Sequence, residues 1–295
     1  MLAPPGDAHV EWATGAPVPS LWVRMPGALD DAVIIWLHGG GYVIGSPRGY
    51  RRLGADLSAG SGLTVLIPDY RLAPEDPFPA AIDDAVALYT WLVDRGISSE
   101  RVVIGGDSAG GGRAVATLLT LRDRAVPLPA GAVLLSPFAD LTLSSSSWGS
   151  RRAVDPLVGD HNAPAMVAAY LNGGDARTSL ASPVYADLRG LPPLLIVVGD
   201  HEVLHDDSTT LAASARSAGV NTTISVFDGL HHIWPVFAPD TTEGRQGTDL
   251  MNEFIRRQLL GLPLETGTAR TGLLDAGCHG QQSALVMADV LFKRE

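Results

Sequence analysis

Two apolar patterns alternate along this chain. An unbroken apolar run occurs at 32–37, and similar short runs rich in apolar residues follow at 63–67, 101–105, 130–135, 194–198 and Thr222–Phe227. A strand with one wet face alternates apolar and polar residues, so runs of this kind predict strands buried on both faces of a sheet. Between them lie longer stretches of good helix formers at Ala80–Asp94, 109–122, 206–218 and 247–260. Strands alternating with helices predict an α/β fold, with a mostly parallel central sheet, right-handed crossovers and flanking helices. The segments 9–13 and 21–25 alternate only loosely, with Gly and Pro between them, and predict antiparallel edge strands.

One stretch breaks the alternation. Residues 140–183 carry no strand signal, only a Ser-rich patch at 144–147 that reads as a surface loop, and one helical segment, Ala163–Leu171. An insertion of that length after a central strand is usually functional, and it predicts a lid over the site. Residues 1–260 are expected to form one domain with this insertion inside it. Residues 261–295 are an extension in which 283–292 is apolar enough to predict a helix, packed by the lid or at a homodimer contact.

Composition narrows the function classes. With 46% hydrophobic and 18% charged residues over 295 positions, the chain has ample material for a globular core. A net charge of -11 without a basic cluster argues against a nucleic-acid partner. Cys278 is the only cysteine, so neither an intrachain disulfide nor a thiolate metal cage can form. No secretory signal is visible and no apolar run approaches membrane-spanning length, so a cytoplasmic protein without membrane attachment is expected.

Candidate chemistry gathers where the run 101–105 ends. Gly106-Asp107-Ser108-Ala109-Gly110 has the G-x-S-x-G spacing of a nucleophile elbow, a sharp strand-to-helix turn whose glycines give the serine room. The helix that follows points its N-terminal dipole toward Ser108. A second glycine run, His38-Gly39-Gly40-Gly41, directly follows the strand ending at Leu37. Acyl transfer needs N–H groups aimed at a developing oxyanion, which assigns Gly40, Gly41 and Ala109 as donors, with Gly39 serving the turn. In the chain order Ser…acid…His, the base follows the last strand, where His231 and His232 both qualify. The acid follows the preceding strand, among Asp200, Glu202, Asp206 and Asp207. Asp206 and Asp207 read as charges at a helix N-terminus. Spacing alone leaves Asp200 against Glu202, and His231 against His232, open.

Several motifs together carry a resemblance. They are His38-Gly39-Gly40-Gly41, Asp69-Tyr70-Arg71-Leu72-Ala73-Pro74-Glu75, Pro77-Phe78-Pro79, Gly106-Asp107-Ser108-Ala109-Gly110-Gly111, Leu135-Ser136-Pro137-Phe138 and Gly199-Asp200-His201-Glu202-Val203-Leu204. From about residue 9 to 260 the chain resembles the hormone-sensitive-lipase-like family of bacterial carboxylesterases. That resemblance implies an α/β-hydrolase fold, with Glu202 as the acid and His232 as the base, and Asp200 and His231 as runners-up. It implies a serine carboxylesterase acting on small-molecule esters of short to medium acyl chain, with no metal or organic cofactor. The segment from Asp69 to Glu75 is expected to be an ion-pair and turn element supporting the oxyanion loop.

Two departures stand out. The helices that the family places before its first strand are not evident, which implies a reduced cap. Arg113 occupies a helix position where the family tends to carry Asn, Leu or His, and a salt bridge is expected there. A lactonase or a deacetylase acting on a biosynthetic intermediate would use the same residues, as would an acyl-eliminating or cyclising enzyme. A ligand receptor on a dead hydrolase fold would typically lack the base.

Overall fold

A computed structural model describes residues 2–261. Its strands are β1 (His9–Trp12), β2 (Ser20–Arg24), β3 (Leu29–Leu37), β4 (Leu63–Pro68), β5 (Val102–Asp107), β6 (Gly131–Leu135), β7 (Leu194–Gly199) and β8 (Thr222–Phe227). They form one sheet in the order β1-β2-β4-β3-β5-β6-β7-β8, parallel from β4 through β8 and antiparallel at β1 and β2. The loosely alternating segments are thus the antiparallel end of the sheet, with β1 at the edge and β2 one place inside it.

From β3 to β7 the apolar runs are explained by the two faces they must satisfy, whereas β8, also expected to be covered on both faces, is an edge strand that leaves Thr223 and Val226 exposed. Along β3, Val33, Ile35 and Leu37 enter one core, and Ala32, Ile34 and Trp36 enter the other. The first core is roofed by α2 (Ala80–Asp94), α3 (Ala109–Asp123) and α6 (His205–Ser217), the second by α1 (Arg51–Ser61), the short α7 (Trp234–Phe237) and α8 (Thr242–Leu260). The stretch of α1, which the sequence pattern assigns to no element, is a helix that buries Leu53 and Leu57 in the second core. Helix α8 begins five residues before its predicted start, because Thr241 accepts a hydrogen bond from Gly244 N–H (3.0 Å) and caps it there.

The insertion contains α4 (Ser146–Ser150), α5 (Ala163–Leu171) and no strand among the described residues. Part of the Ser-rich patch, expected as loop, is the start of α4. A third apolar cluster joins the insertion to the body, with Trp148, Val167 and Tyr170 from the insertion packed with Tyr42, Ala109 and Phe138. The expected extension helix at 283–292 lies outside the described residues.

Registers place the loops side by side. Leu37 pairs with Gly106, Asp107 with Leu135, Leu135 with Val197, and Gly199 with Phe227. The strand ends leading to His38, Ser108, Ser136, Glu202 and His232 therefore open at the same edge of the sheet, the edge where α/β folds build sites.

Candidate active site

Ser108 lies between β5 and α3 with φ 54 and ψ −123, a left-handed turn that a serine adopts at a cost of about 1–3 kcal/mol. The turn is held from both sides. Ser108 N–H donates to the Leu135 carbonyl (2.9 Å), and Phe138 N–H donates to the Ser108 carbonyl (2.8 Å). Gly110 is required by space, since a Cβ there would stand 1.9 Å from the Leu37 carbonyl oxygen.

The glycine loop after β3 is braced from behind. Gly39 N–H donates to Tyr50 Oη (3.0 Å), whose hydroxyl donates to Asp107 Oδ2 (2.7 Å), while Trp36 Nε1–H donates to Asp107 Oδ1 (3.0 Å). Burial pushes the Asp107 carboxyl up to about 6, and the hydrogen bonds from Tyr50 and Trp36 limit the rise. Gly39 therefore serves the turn, while the N–H groups of Gly40, Gly41 and Ala109 have no hydrogen-bond partner among the described residues. His38 is fully buried, with Nδ1 lying 2.7 Å from the Gly39 carbonyl and 2.9 Å from Tyr70 Oη. Desolvation pushes its pKa down to about 3, so the imidazole is neutral. The insertion reaches this loop through Met166 of α5. At Gly41, with φ 58, a Cβ would stand 2.1 Å from the Met166 sulfur.

Between the alternatives left open by spacing, the structure pairs Glu202 with His232. Glu202 Oε2 lies 2.7 Å from His232 Nδ1, and the two side chains are 0% and 3% exposed. Its other oxygen, Oε1, accepts from Gly199 N–H (2.7 Å) and Ser136 Oγ–H (2.8 Å). Ser136 Oγ in turn accepts from Ile233 N–H (3.3 Å), so one serine ties together the loops carrying the acid and the base. Burial pulls the His232 pKa down, but the hydrogen bond and charge of Glu202, with Asp155 and Asp107, outweigh it and the net shift is upward. Asp200 instead accepts from Gly229 N–H (2.6 Å), and exposed His231 packs its ring 5.9 Å from that of His201. No hydrogen bond joins Ser108 Oγ to His232 among the described residues, a bond that often tightens only with substrate in place.

One expectation from sequence changes and two gain detail. Asp206 and Asp207 lie in the first turn of α6, as expected, and also reach the insertion. Asp207 Oδ2 accepts from Ala139 N–H (3.0 Å) and Asp140 N–H (2.9 Å), and Asp206 Oδ2 accepts from Ser147 N–H (2.9 Å), so both fasten the insertion. Arg71 pairs with Asp84 (2.7 Å) and Asp76 (3.8 Å), and the segment supports the oxyanion loop through Tyr70, donating to the His38 carbonyl, and through Ala73 N–H, donating to the Tyr42 carbonyl (3.2 Å). Arg113 makes no salt bridge among the described residues. It is 1% exposed, with its guanidinium carbon 3.9 Å from the Tyr70 ring centre and 5.3 Å from that of Tyr42. Such desolvated cation–π contacts contribute about 2 kcal/mol.

Sequence reasoning gave no role to Ser136, Tyr50, Asp155 or Met166. Ser136 had a signal, its place in Leu135-Ser136-Pro137-Phe138 at the end of β6, whereas Tyr50, 11 residues after Gly39, and Met166, in the insertion, belong to no motif. Asp155 Oδ2 accepts from Val203 N–H (2.9 Å), next to Glu202. Among the described residues, no group of three or more His, Cys, Asp or Glu side chains is arranged to hold a metal ion, and no helix is long and apolar enough to cross a membrane.

Comparison with known proteins identifies the family to which this fold belongs. A family described as having the alpha/beta hydrolase fold matches residues 34–236. An acetyl-hydrolase of Streptomyces hygroscopicus is 44% identical over 253 residues, covering 86% of this chain and 83% of that protein. An esterase of Acinetobacter venetianus is 35% identical over 226 residues, 75% of this chain and 74% of its own length. The crystal structure of an esterase from the bacterial hormone-sensitive lipase family superposes with a TM-score of 0.86 at 44% identity, covering 88% of this chain and 87% of that one. With its fold, glycine loop, elbow and sequence all in agreement, the chain belongs to the hormone-sensitive-lipase-like carboxylesterases of the α/β-hydrolase fold.

Proposed function

We propose that this carboxylic ester hydrolase cleaves short- to medium-chain acyl esters, with Ser108 as nucleophile, His232 as general base and Glu202 as the acid that orients it. The observation that carries this reading is the buried 2.7 Å pair of Glu202 and His232, fastened by Ser136 beside the elbow of Ser108. A carboxylate only accepts, so His232 Nδ1 carries the proton and Nε2 is free to take the one from Ser108. As Ser108 Oγ adds to the ester carbonyl, its proton passes to His232, and the N–H groups of Gly40, Gly41 and Ala109 receive the oxyanion. Each such donor contributes roughly 3 kcal/mol to the transition state. His232 then protonates the departing alcohol, and a water deprotonated by His232 hydrolyses the acyl-enzyme. The acetyl-hydrolase relative favours a short acyl group, and Met166 against Gly41 supports a confined acyl pocket.

The test is the rate on p-nitrophenyl acetate, butyrate and octanoate, with Ser108→Ala alongside and mass spectrometry of the quenched enzyme. Acylation of Ser108 and loss of turnover in Ser108→Ala are expected. Turnover that survives Ser108→Ala would overturn the mechanism, and a rate on p-nitrophenyl palmitate above those on the three shorter esters would overturn the chain-length preference.

A further inference from the structure

Arg113 is the one buried residue of α3 whose chemistry the proposed mechanism leaves unused. Its Nε, Nη1 and Nη2 atoms are all buried without an acceptor in hydrogen-bonding geometry among the described residues. Burying a guanidinium without a carboxylate is costly, and arginine keeps its charge in proteins, so something nearby must repay the burial. At 1% exposure it cannot meet a substrate carboxylate.

What surrounds it is the back of the oxyanion loop. The Tyr70 ring, 3.9 Å from the guanidinium, stacks on the His38 ring at 4.2 Å, and Tyr70 Oη donates to the His38 carbonyl. The Tyr42 ring, 5.3 Å away, belongs to the residue after Gly41 and stacks at 4.0 Å on Tyr170 of α5. Tyr42 is fixed at its other end, where its hydroxyl donates to the Phe138 carbonyl (2.7 Å). The charge thus sits behind both ends of the segment His38–Tyr42, between two electron-rich faces that hold it.

We propose that Arg113 is a positioning residue of the oxyanion loop, clamping Tyr70 and Tyr42 behind Gly40 and Gly41 and adding a fixed positive field where the oxyanion forms. This rests on the reading of Gly40, Gly41 and Ala109 as oxyanion donors. A field of this kind acts on the anionic state and not on the neutral ester, so it raises kcat and leaves KM alone.

The test compares Arg113→Met, Arg113→Gln and Arg113→Lys with the parent protein. The readouts are kcat and KM on p-nitrophenyl butyrate, the inhibition constant of an alkyl trifluoromethyl ketone, and the unfolding midpoint. The ketone is a suitable probe because Ser108 Oγ would add to its carbonyl carbon and leave an anionic hemiketal oxygen in the hole. Both neutral variants are expected to lose about tenfold in kcat and in ketone affinity with KM within about twofold, a loss equivalent to about 1.4 kcal/mol of barrier. Arg113→Lys, which keeps the charge, is expected to recover most of both losses. Wild-type kcat in either neutral variant would overturn the proposal, as would equal impairment of Lys and Met with ketone affinity unchanged. Should the neutral variants fail to fold, ketone affinity in Arg113→Lys decides, since a fall of about tenfold there also overturns it. Ser108→Ala separates the two levels: turnover surviving that change defeats the underlying reading, whereas its loss leaves the Arg113 variants to judge this proposal alone.

Discussion

Replacing Glu202 with glutamine keeps the shape of the side chain and changes its hydrogen-bonding sense at one atom. Glu202 accepts from three donors, Ser136 Oγ–H and Gly199 N–H at Oε1 and His232 Nδ1–H at Oε2. A glutamine offers one accepting oxygen and one donating NH2 group. Two donors face the Oε1 position, one of them a backbone N–H that cannot turn, so the amide oxygen is held there and the NH2 group faces His232. Nδ1 must then accept, and the imidazole proton moves to Nε2, the atom that has to receive the proton of Ser108. In a serine hydrolase a wrong tautomer of this kind lowers kcat about 10⁴-fold, equivalent to about 5 kcal/mol of barrier. Folding should suffer far less, by about 1 kcal/mol, because Ser136 and Gly199 keep an acceptor. The assay is p-nitrophenyl butyrate turnover at pH 8 with thermal unfolding of the same samples. Asp200→Asn serves as control. Its carboxylate accepts from Gly229 N–H at the surface, and kcat within about threefold of the parent is expected. Retention of more than about a tenth of kcat in Glu202→Gln would refute the tautomer reasoning, and a collapse in Asp200→Asn would move the acid to Asp200.

Further outcomes follow from the same geometry. Tyr50→Phe leaves Gly39 N–H buried without its acceptor, so stability by urea denaturation should fall by about 1–3 kcal/mol and kcat by about tenfold as the oxyanion loop loosens. Unchanged kcat would show that the loop is held without Tyr50. Because the base must be neutral and the pKa of His232 is raised, kcat/KM should fall on the acid side through a value above the ordinary imidazole range. Asp155 contributes to that rise, so Asp155→Asn should move the acid limb to lower pH, and a limb that stays in place would refute its role. The same shift has a stability sign. The His232–Glu202 pair stabilises fully below the unfolded imidazole value and loses that contribution as pH rises through the folded one.

The fold was legible because β3 to β7 are covered on both faces, and continuous apolar runs have few other uses. Helix α1 was not legible. Gly54 and Gly60 dilute its helical signal, and it holds its shape through Leu53 and Leu57 packed in the core beneath it. The glycine loop and the elbow could be read because close backbone approach leaves glycine few substitutes. The choice between Asp200 and Glu202 could not be read from spacing, since it depends on Ser136 and Gly199 N–H, groups brought to Oε1 by the ends of β6 and β7. Asp206 and Asp207 were legible as charges in the first turn of α6, and only the fold reveals that their oxygens also serve 139–147. Arg113 misled because a buried charge suggests a carboxylate, whereas two aromatic faces were the partners.

The fastening of the insertion to the acid loop has a consequence for anyone recombining these enzymes. Asp206 and Asp207 hold its first residues, Asp155 holds Val203 N–H, Ser147 Oγ–H donates to the Val203 carbonyl (2.5 Å), and Arg151 donates to the Asp200 carbonyl. The exchangeable unit is therefore discontinuous, made of 139–183 together with 199–207. A chimera that imports 140–183 alone from another esterase would strand two buried or half-buried carboxylates and several backbone donors beside Glu202. One that imports both segments carries its own receptors along, and should graft a foreign substrate pocket without disturbing the acid.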